Sequence, residues 1–134
     1  MLVIRHARAG KRAEWTGDDR VRPLDDRGLE QAAALVAELV SFPLERILSS
    51  PYDRCVQTVE PLAAARGVPI EVVEALAEEH QADAGVALAR ASAGEPVALC
   101  VHGGLSDDAF GVSLKKGETL VVDANRRVVA RVRT

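Results

Sequence analysis

The sequence predicts an α/β fold, a three-layer α/β/α sandwich built around a mostly parallel central sheet. Three observations predict it. Short apolar runs of strand length alternate with helix-periodic segments; the early runs are mostly apolar, as strands buried on both faces should be; and the tail carries two adjacent strand-like runs that read as a hairpin.

In chain order, Leu2-Val3-Ile4 is the first strand and ends in Arg5-His6. Gly10 to Leu24 is polar and irregular and reads as a surface loop. Ala32, Leu35, Val36, Leu39 and Val40 repeat at helical spacing after the cap candidates Asp25 and Asp26, predicting a helix over 27–40 that stops before Phe42-Pro43. Arg46-Ile47-Leu48 is the second strand. Ser50-Pro51-Tyr52-Asp53 follows with a Ser cap, a Pro at the first helical position and an acid three residues after the cap, so a second helix is expected up to Arg66, with Gly67 as its stop. Ile70 to Val73 is a third strand. A weaker helix, interrupted by Gly85, covers Ala82 to Ala93 and stops at Gly94 before Pro96. Val97 to Val101 is a fully apolar strand that ends in His102-Gly103-Gly104. Thr119 to Val122 and Val128 to Val132 then form the terminal hairpin around Asp123-Ala124-Asn125.

Bulk properties bound the possibilities. With 134 residues, 48% hydrophobic and 28% charged, the chain has material for one core, so residues 1–134 are expected to be a single domain. No run approaches the roughly 20 apolar residues of a membrane helix, and the apolar start is too short for a signal peptide, so a cytoplasmic protein with no membrane partner is expected. Cys55 and Cys100 lie far apart in unrelated patterns and read as ordinary thiols. A net charge of −3 argues against a nucleic-acid partner. The local balance is more telling. Residues 1–12 carry Arg5, Arg8, Lys11 and Arg12 without an acid, whereas residues 71–95 carry six acids against Arg90 alone. An anion is expected near the N-terminal segment.

Three places carry chemistry. Arg5-His6 closes one buried strand and His102 another, and ligands of open α/β sheets gather at the carboxyl ends of parallel strands. Either pair alone reads more readily as a solvated or capped strand end. Gly103-Gly104 permits close backbone approach after His102. The third place is Arg54, in the first turn of the helix that begins directly after a strand, where backbone N–H groups and the helix dipole already favour an anion and a guanidinium fork adds bidentate recognition. Its bland reading is a surface Arg paired with Asp53 or Glu60.

Arg5-His6-Ala7, Ser49-Ser50-Pro51 through Arg54 and Gln57-Thr58, and His102-Gly103 together resemble the three ordered signatures of the histidine phosphatase, or phosphoglycerate mutase-like, superfamily. Short length, Asp18-Asp19, Arg22-Pro23-Leu24 and Arg27-Gly28 are most similar to SixA-type phosphohistidine phosphatases and to phosphatase domains fused to Nudix hydrolases. The resemblance implies the phosphoglycerate mutase-like fold and a phosphatase without metal or other cofactor. His6 would be a neutral nucleophile, held in one tautomer, that forms a phosphohistidine. Arg5, Arg54 and a cationic His102 would surround the phosphoryl oxygens.

Relatives often carry a polar amide a few residues after the nucleophile, where this chain has Arg8-Ala9-Gly10-Lys11-Arg12, so Arg12 or Arg8 is expected as a further phosphate ligand. The resemblance favours Glu78 as the acid that protonates the leaving group, with Glu79 in reserve, and a raised pKa is expected for it. The short segment from Gly103 to Gly111 leaves room for little more than one helical turn where relatives carry a full helix. Lys115-Lys116-Gly117 is expected to be a structural turn. The substrate implied first is a phosphorylated protein histidine; a small phosphoester or nucleotide is the alternative, and a non-catalytic phosphate-binding module the second. A metal site is disfavoured because bases crowd His6.

Overall fold

A computed structural model describes residues 1–133. The chain runs through β1 (Leu2–Arg5), α1 (Asp26–Glu38), β2 (Arg46–Ser49), α2 (Asp53–Arg66), β3 (Ile70–Val72), α3 (Val86–Ala91), β4 (Val97–Val101), α4 (Leu105–Phe110), β5 (Thr119–Val122) and β6 (Val128–Val132). The six strands form one sheet in the order β3-β2-β4-β1-β5-β6. The first four are mutually parallel, and β5 and β6 are added antiparallel.

Alternation along the strands divides the core in two. Leu2, Ile4, Ile47, Ala98 and Cys100 face Leu35 of α1, Leu39 at its C-cap, and Val59 and Leu62 of α2. Val3, Leu48, Leu99 and Val101 face Val86 and Ala89 of α3 and Leu105 of α4. Both sheet faces are therefore covered by helices, which is why the interior positions of β1, β2 and β4 are apolar on both faces. The predicted three layers, parallel sheet and C-terminal hairpin are all present. Among the described residues, no helix is long and apolar enough to cross a membrane.

Two helix starts show what the local code did. Asp25 caps α1 as expected, its carboxylate accepting from Gly28 N at 2.8 Å. Gly28 is required there, because a Cβ would stand 1.9 Å from the Arg8 carbonyl oxygen, and α1 packs directly on that backbone. Ser50 does not cap α2. The helix begins at Asp53 with Tyr52 at the cap position, and the Ser50 hydroxyl is drawn instead to His102 Nε2, 2.8 Å away. The third helix also differs. Gln81–Gly85 forms a wider π-type turn that leads into α3, and Gly85 sits where a Cβ would meet Ala75 O at 2.9 Å. The Gly10–Leu24 loop contains two short 3-10 turns, at Arg12–Glu14 and Asp19–Val21.

Register places the chemistry. Arg5 pairs with Val101 and Ser49 with Cys100, so β1, β2 and β4 end level with one another. The next residue of each chain path, His6, Ser50 and His102, emerges from the same edge of the sheet, and His6 N and Ser50 N continue the ladder to Val101 O and Cys100 O at 3.0 Å.

Candidate active site

A cavity of about 630 Å³ opens over that edge, lined by Arg5, His6, Lys11, Arg12, Arg22, Glu78, His102 and Lys116 together with Gly10, Gly103 and Gly104. Five basic side chains and one carboxylate give it a strongly anion-attracting wall.

His6 is 6% exposed. Its Nδ1 lies 2.7 Å from the Ala7 carbonyl oxygen, which can only accept, so Nδ1 carries the proton and Nε2 holds the lone pair. Burial lowers its pKa to about 3; the charges of Arg54, His102 and Arg5 push the same way, and the Ala7 hydrogen bond opposes them. The ring is therefore neutral near pH 7. Its centroid lies 5.6 Å from that of His102. His102 is 2% exposed, bonded through Nε2 to Ser50, stacked edge-on against Tyr52 with centroids 4.5 Å apart, and without a partner at Nδ1.

Arg5 is anchored by Nη1 donating to Leu114 O at 2.6 Å. Its guanidinium lies flat on Gly103, where a Cβ would come within 2.8 Å of Nη2. The Lys115-Lys116-Gly117 turn supports this end of β1, with Gly117 N reaching both Arg5 O and His6 O at 3.1 Å. Gln81 clamps the other strand end: its Oε1 accepts from His102 N at 3.1 Å and its Nε2 donates to Gly103 O at 2.9 Å.

Arg54 reaches the site from the first turn of α2, with its side chain 1% exposed behind the cavity wall. Nη1 donates to Asp19 O, and Nη2 to the carboxylates of Asp19 and Glu78, both at 3.1 Å. Its Nε has no partner. The carboxylates satisfy this buried cation, and an entering anion would compete with them for it. Glu78 also takes a bidentate pair from Arg12, at 2.9 and 3.0 Å.

The sequence reading of two residues needs correction. Arg8 does not line the cavity; its Nε pairs with the Asp25 carboxylate at 3.0 Å, and its side chain is 57% exposed. Glu79 is exposed and bound by the Tyr52 hydroxyl and by Arg20; the Tyr52 bond leads in holding its carboxyl down to about 2, the reverse of what a proton donor near neutrality needs. Glu79, Glu74 and His80 bring their ligand atoms within 4.8 Å of one another, but Arg20 already bridges both carboxylates.

Several site residues carried no assigned role in the sequence reading. Arg22 is buried, paired to Asp19 at 2.9 Å and bonded to Ala9 O at 2.6 Å, and it lines the cavity with Lys11 and Lys116. Burial first, then Arg5, Arg22 and Arg8, lowers the pKa of Lys116. Asp18-Asp19 and Arg22-Pro23-Leu24 were visible as a motif; nothing local in them says that they fold back onto Arg54.

Comparison with known proteins places this geometry in context. A family model described as the histidine phosphatase superfamily (branch 1) matches residues 1–86. The chain is 45% identical over 87 residues to an 8-oxo-(d)GTP phosphatase of Mycolicibacterium smegmatis, covering 61% of this chain and 27% of that protein. It is 32% identical over 89 residues to the transcription factor tau 55 kDa subunit of Saccharomyces cerevisiae, covering 58% of this chain and 20% of that one. The chain thus spans about a quarter or less of the length of these curated relatives. Among solved structures, a putative phosphohistidine phosphatase SixA from Agrobacterium tumefaciens superposes with a TM-score of 0.77 at 21% identity, covering 99% of this chain and 97% of that one. The protein histidine phosphatase SixA complexed with tungstate gives 0.78 at 20% identity, covering 98% and 94%.

Proposed function

Since the chain belongs to the histidine phosphatase superfamily, we propose that it hydrolyses a phosphoryl group through a phosphohistidine formed on His6. One observation carries the reading: a buried, neutral His6 whose Nδ1 proton is fixed on Ala7 O, leaving Nε2 free at a cavity walled by cations.

The steps follow from the positions. The substrate phosphoryl enters between Arg5, Arg12, Arg22 and Lys116, and Arg54 exchanges its carboxylate partners for phosphoryl oxygens. His6 Nε2 attacks phosphorus, forming the N–P bond as the bond to the leaving oxygen breaks. His102 and Arg5 stabilise the charge that spreads over the remaining oxygens. Glu78, displaced from its two guanidiniums, gives a proton to the leaving oxygen. Water then attacks the phosphohistidine, its proton passing to the Glu78 carboxylate as the N–P bond breaks, which returns His6 and releases inorganic phosphate.

A small phosphoester is the substrate class we favour, because the 45% identical relative bears a nucleotide phosphatase name. A phosphorylated protein histidine is the class suggested by the SixA-type fold. The test is to incubate protein and His6→Ala with p-nitrophenyl phosphate and to look for acid-labile phosphate on the protein. Turnover and labelling in the first and neither in the second are expected; a fully active His6→Ala protein refutes the mechanism.

A further inference from the structure

A second cavity, of about 280 Å³, adjoins the first and shares Gly10, Lys11 and Arg22 with it. Its character is different. Beyond the shared residues its wall is formed by Trp15, Pro23, Leu24 and Ala9, with the carboxylates of Glu14 and Asp25 at its margin. Trp15 is the sole tryptophan of a chain in which aromatic residues make up 3%. It stands 36% exposed and belongs to none of the buried clusters, so core packing does not account for it.

The indole is nevertheless held. Its Nε1 donates to Asp18 O at 3.0 Å, and its backbone N–H to Arg12 O at 3.1 Å. A ring tied by its edge keeps its faces for another flat ring, and tying it beforehand reduces the ordering cost of stacking. The carboxylate of Asp25 on the same wall is already satisfied by Gly10 N, Gly28 N and Arg8, so it adds little uncompensated charge.

The cationic first cavity also holds more positive charge than one phosphoryl needs. Lys11 and Lys116 line it without a carboxylate partner among the described residues, and Lys11 stands on the ridge between the two cavities. A ligand fitting both cavities is polyanionic at one end and flat and aromatic at the other. Resting on the phosphatase reading above, we propose that the substrate is a nucleoside phosphate whose base stacks on Trp15 while its phosphoryl chain crosses Lys11 and Arg22 to His6. The reaction is the hydrolysis already described: the terminal phosphoryl of a nucleoside diphosphate or triphosphate passes to His6, and the nucleotide shortened by one phosphoryl departs as the leaving group.

Because Trp15 is the sole tryptophan, its fluorescence reports occupancy directly. The His6→Ala protein, which binds without turnover, is titrated with guanosine diphosphate, ribose 5-phosphate and inorganic phosphate. Saturable quenching by the nucleotide alone is expected, and equal responses to all three overturn the proposal. In active protein, Trp15→Ala should lower the ratio of kcat/KM for guanosine diphosphate over that for ribose 5-phosphate by about tenfold, the size of one lost base stack, and Trp15→Phe should restore most of it. An unchanged ratio in folded Trp15→Ala also overturns it. The two readings fail separately: lack of acid-labile phosphate on His6 ends the catalytic one, whereas lack of nucleotide-specific quenching ends the shelf.

Discussion

Glu78 Oε2 lies 3.1 Å from Nη2 of Arg54, and the same carboxylate holds Arg12 at 2.9 Å, so one acid ties a guanidinium buried behind the cavity wall to an exposed one that lines it. An arriving phosphoryl group must take these cations from Glu78. Glu78→Gln removes the competing charge, and the inhibition constant of inorganic phosphate should fall several-fold. In the proposed mechanism the same change also removes the proton donor. kcat on an alkyl phosphate should drop by about 10² or more, with a much smaller loss on p-nitrophenyl phosphate, whose leaving group departs without a proton. Equal losses on the two substrates would remove Glu78 from the chemistry.

Keeping His6 neutral has a cost in acid. Its pKa is about 3 when folded, chiefly through burial, against about 6.5 when exposed. Between those values the unfolded chain binds a proton that the folded chain refuses. The cost is absent above pH 6.5 and grows as pH falls towards 3, by at most about 1.4 kcal/mol for each pH unit. Urea unfolding at about pH 4.5 and 6.5 checks this. The loss of stability on acidification should be smaller in His6→Gln than in the parent, and identical losses would mean that the imidazole is not buried as described.

The fold was legible because its signals are local and repeated: mostly apolar strands, the Asp25 cap, Gly67 as helix stop and the hairpin turn, where Asp123 Oδ1 accepts from Asn125 N and Arg127 N at 2.9 Å. The strand-end residues Arg5, His6 and His102 were legible for the same reason, since register alone brings them level. What escaped was decided by tertiary competition. Ser50 had every local mark of a helix cap, yet a buried imidazole recruits its hydroxyl. Arg8 and Arg12 look equivalent in sequence, and only the loop path turns one towards Asp25 and the other towards Glu78. Arg22 and Lys116 reach the cavity through folds of loop and turn that no periodicity encodes.

Gly103 offers a test of Arg5 that leaves the nucleophile untouched. Its added Cβ would lie 2.8 to 3.1 Å from Nη2, Cζ and Nε of Arg5, the mobile end of a side chain and not backbone. Gly103→Ala should therefore fold with little loss of thermal stability and displace the guanidinium. A fall of about tenfold or more in kcat/KM at near-constant Tm is expected; full activity would show that the position of Arg5 is unimportant.

Gln81 is the last point of leverage, because one side chain satisfies both His102 N and Gly103 O and is delivered by the π-type turn at Gln81–Gly85. In Gln81→Met both backbone groups lose their partner, at about 1–3 kcal/mol each if they stay dry, and His102 is no longer held in register with His6. kcat should fall more than KM rises. Gln81→Glu separates a positioning effect from general destabilisation. Its carboxylate can still accept from His102 N but presents a second acceptor to Gly103 O, so the protonated form alone restores both bonds and its pKa is raised. Activity of Gln81→Glu, relative to the parent at each pH, should recover as pH falls, whereas Gln81→Met should stay low throughout; parallel profiles for the two variants would assign Gln81 to packing alone.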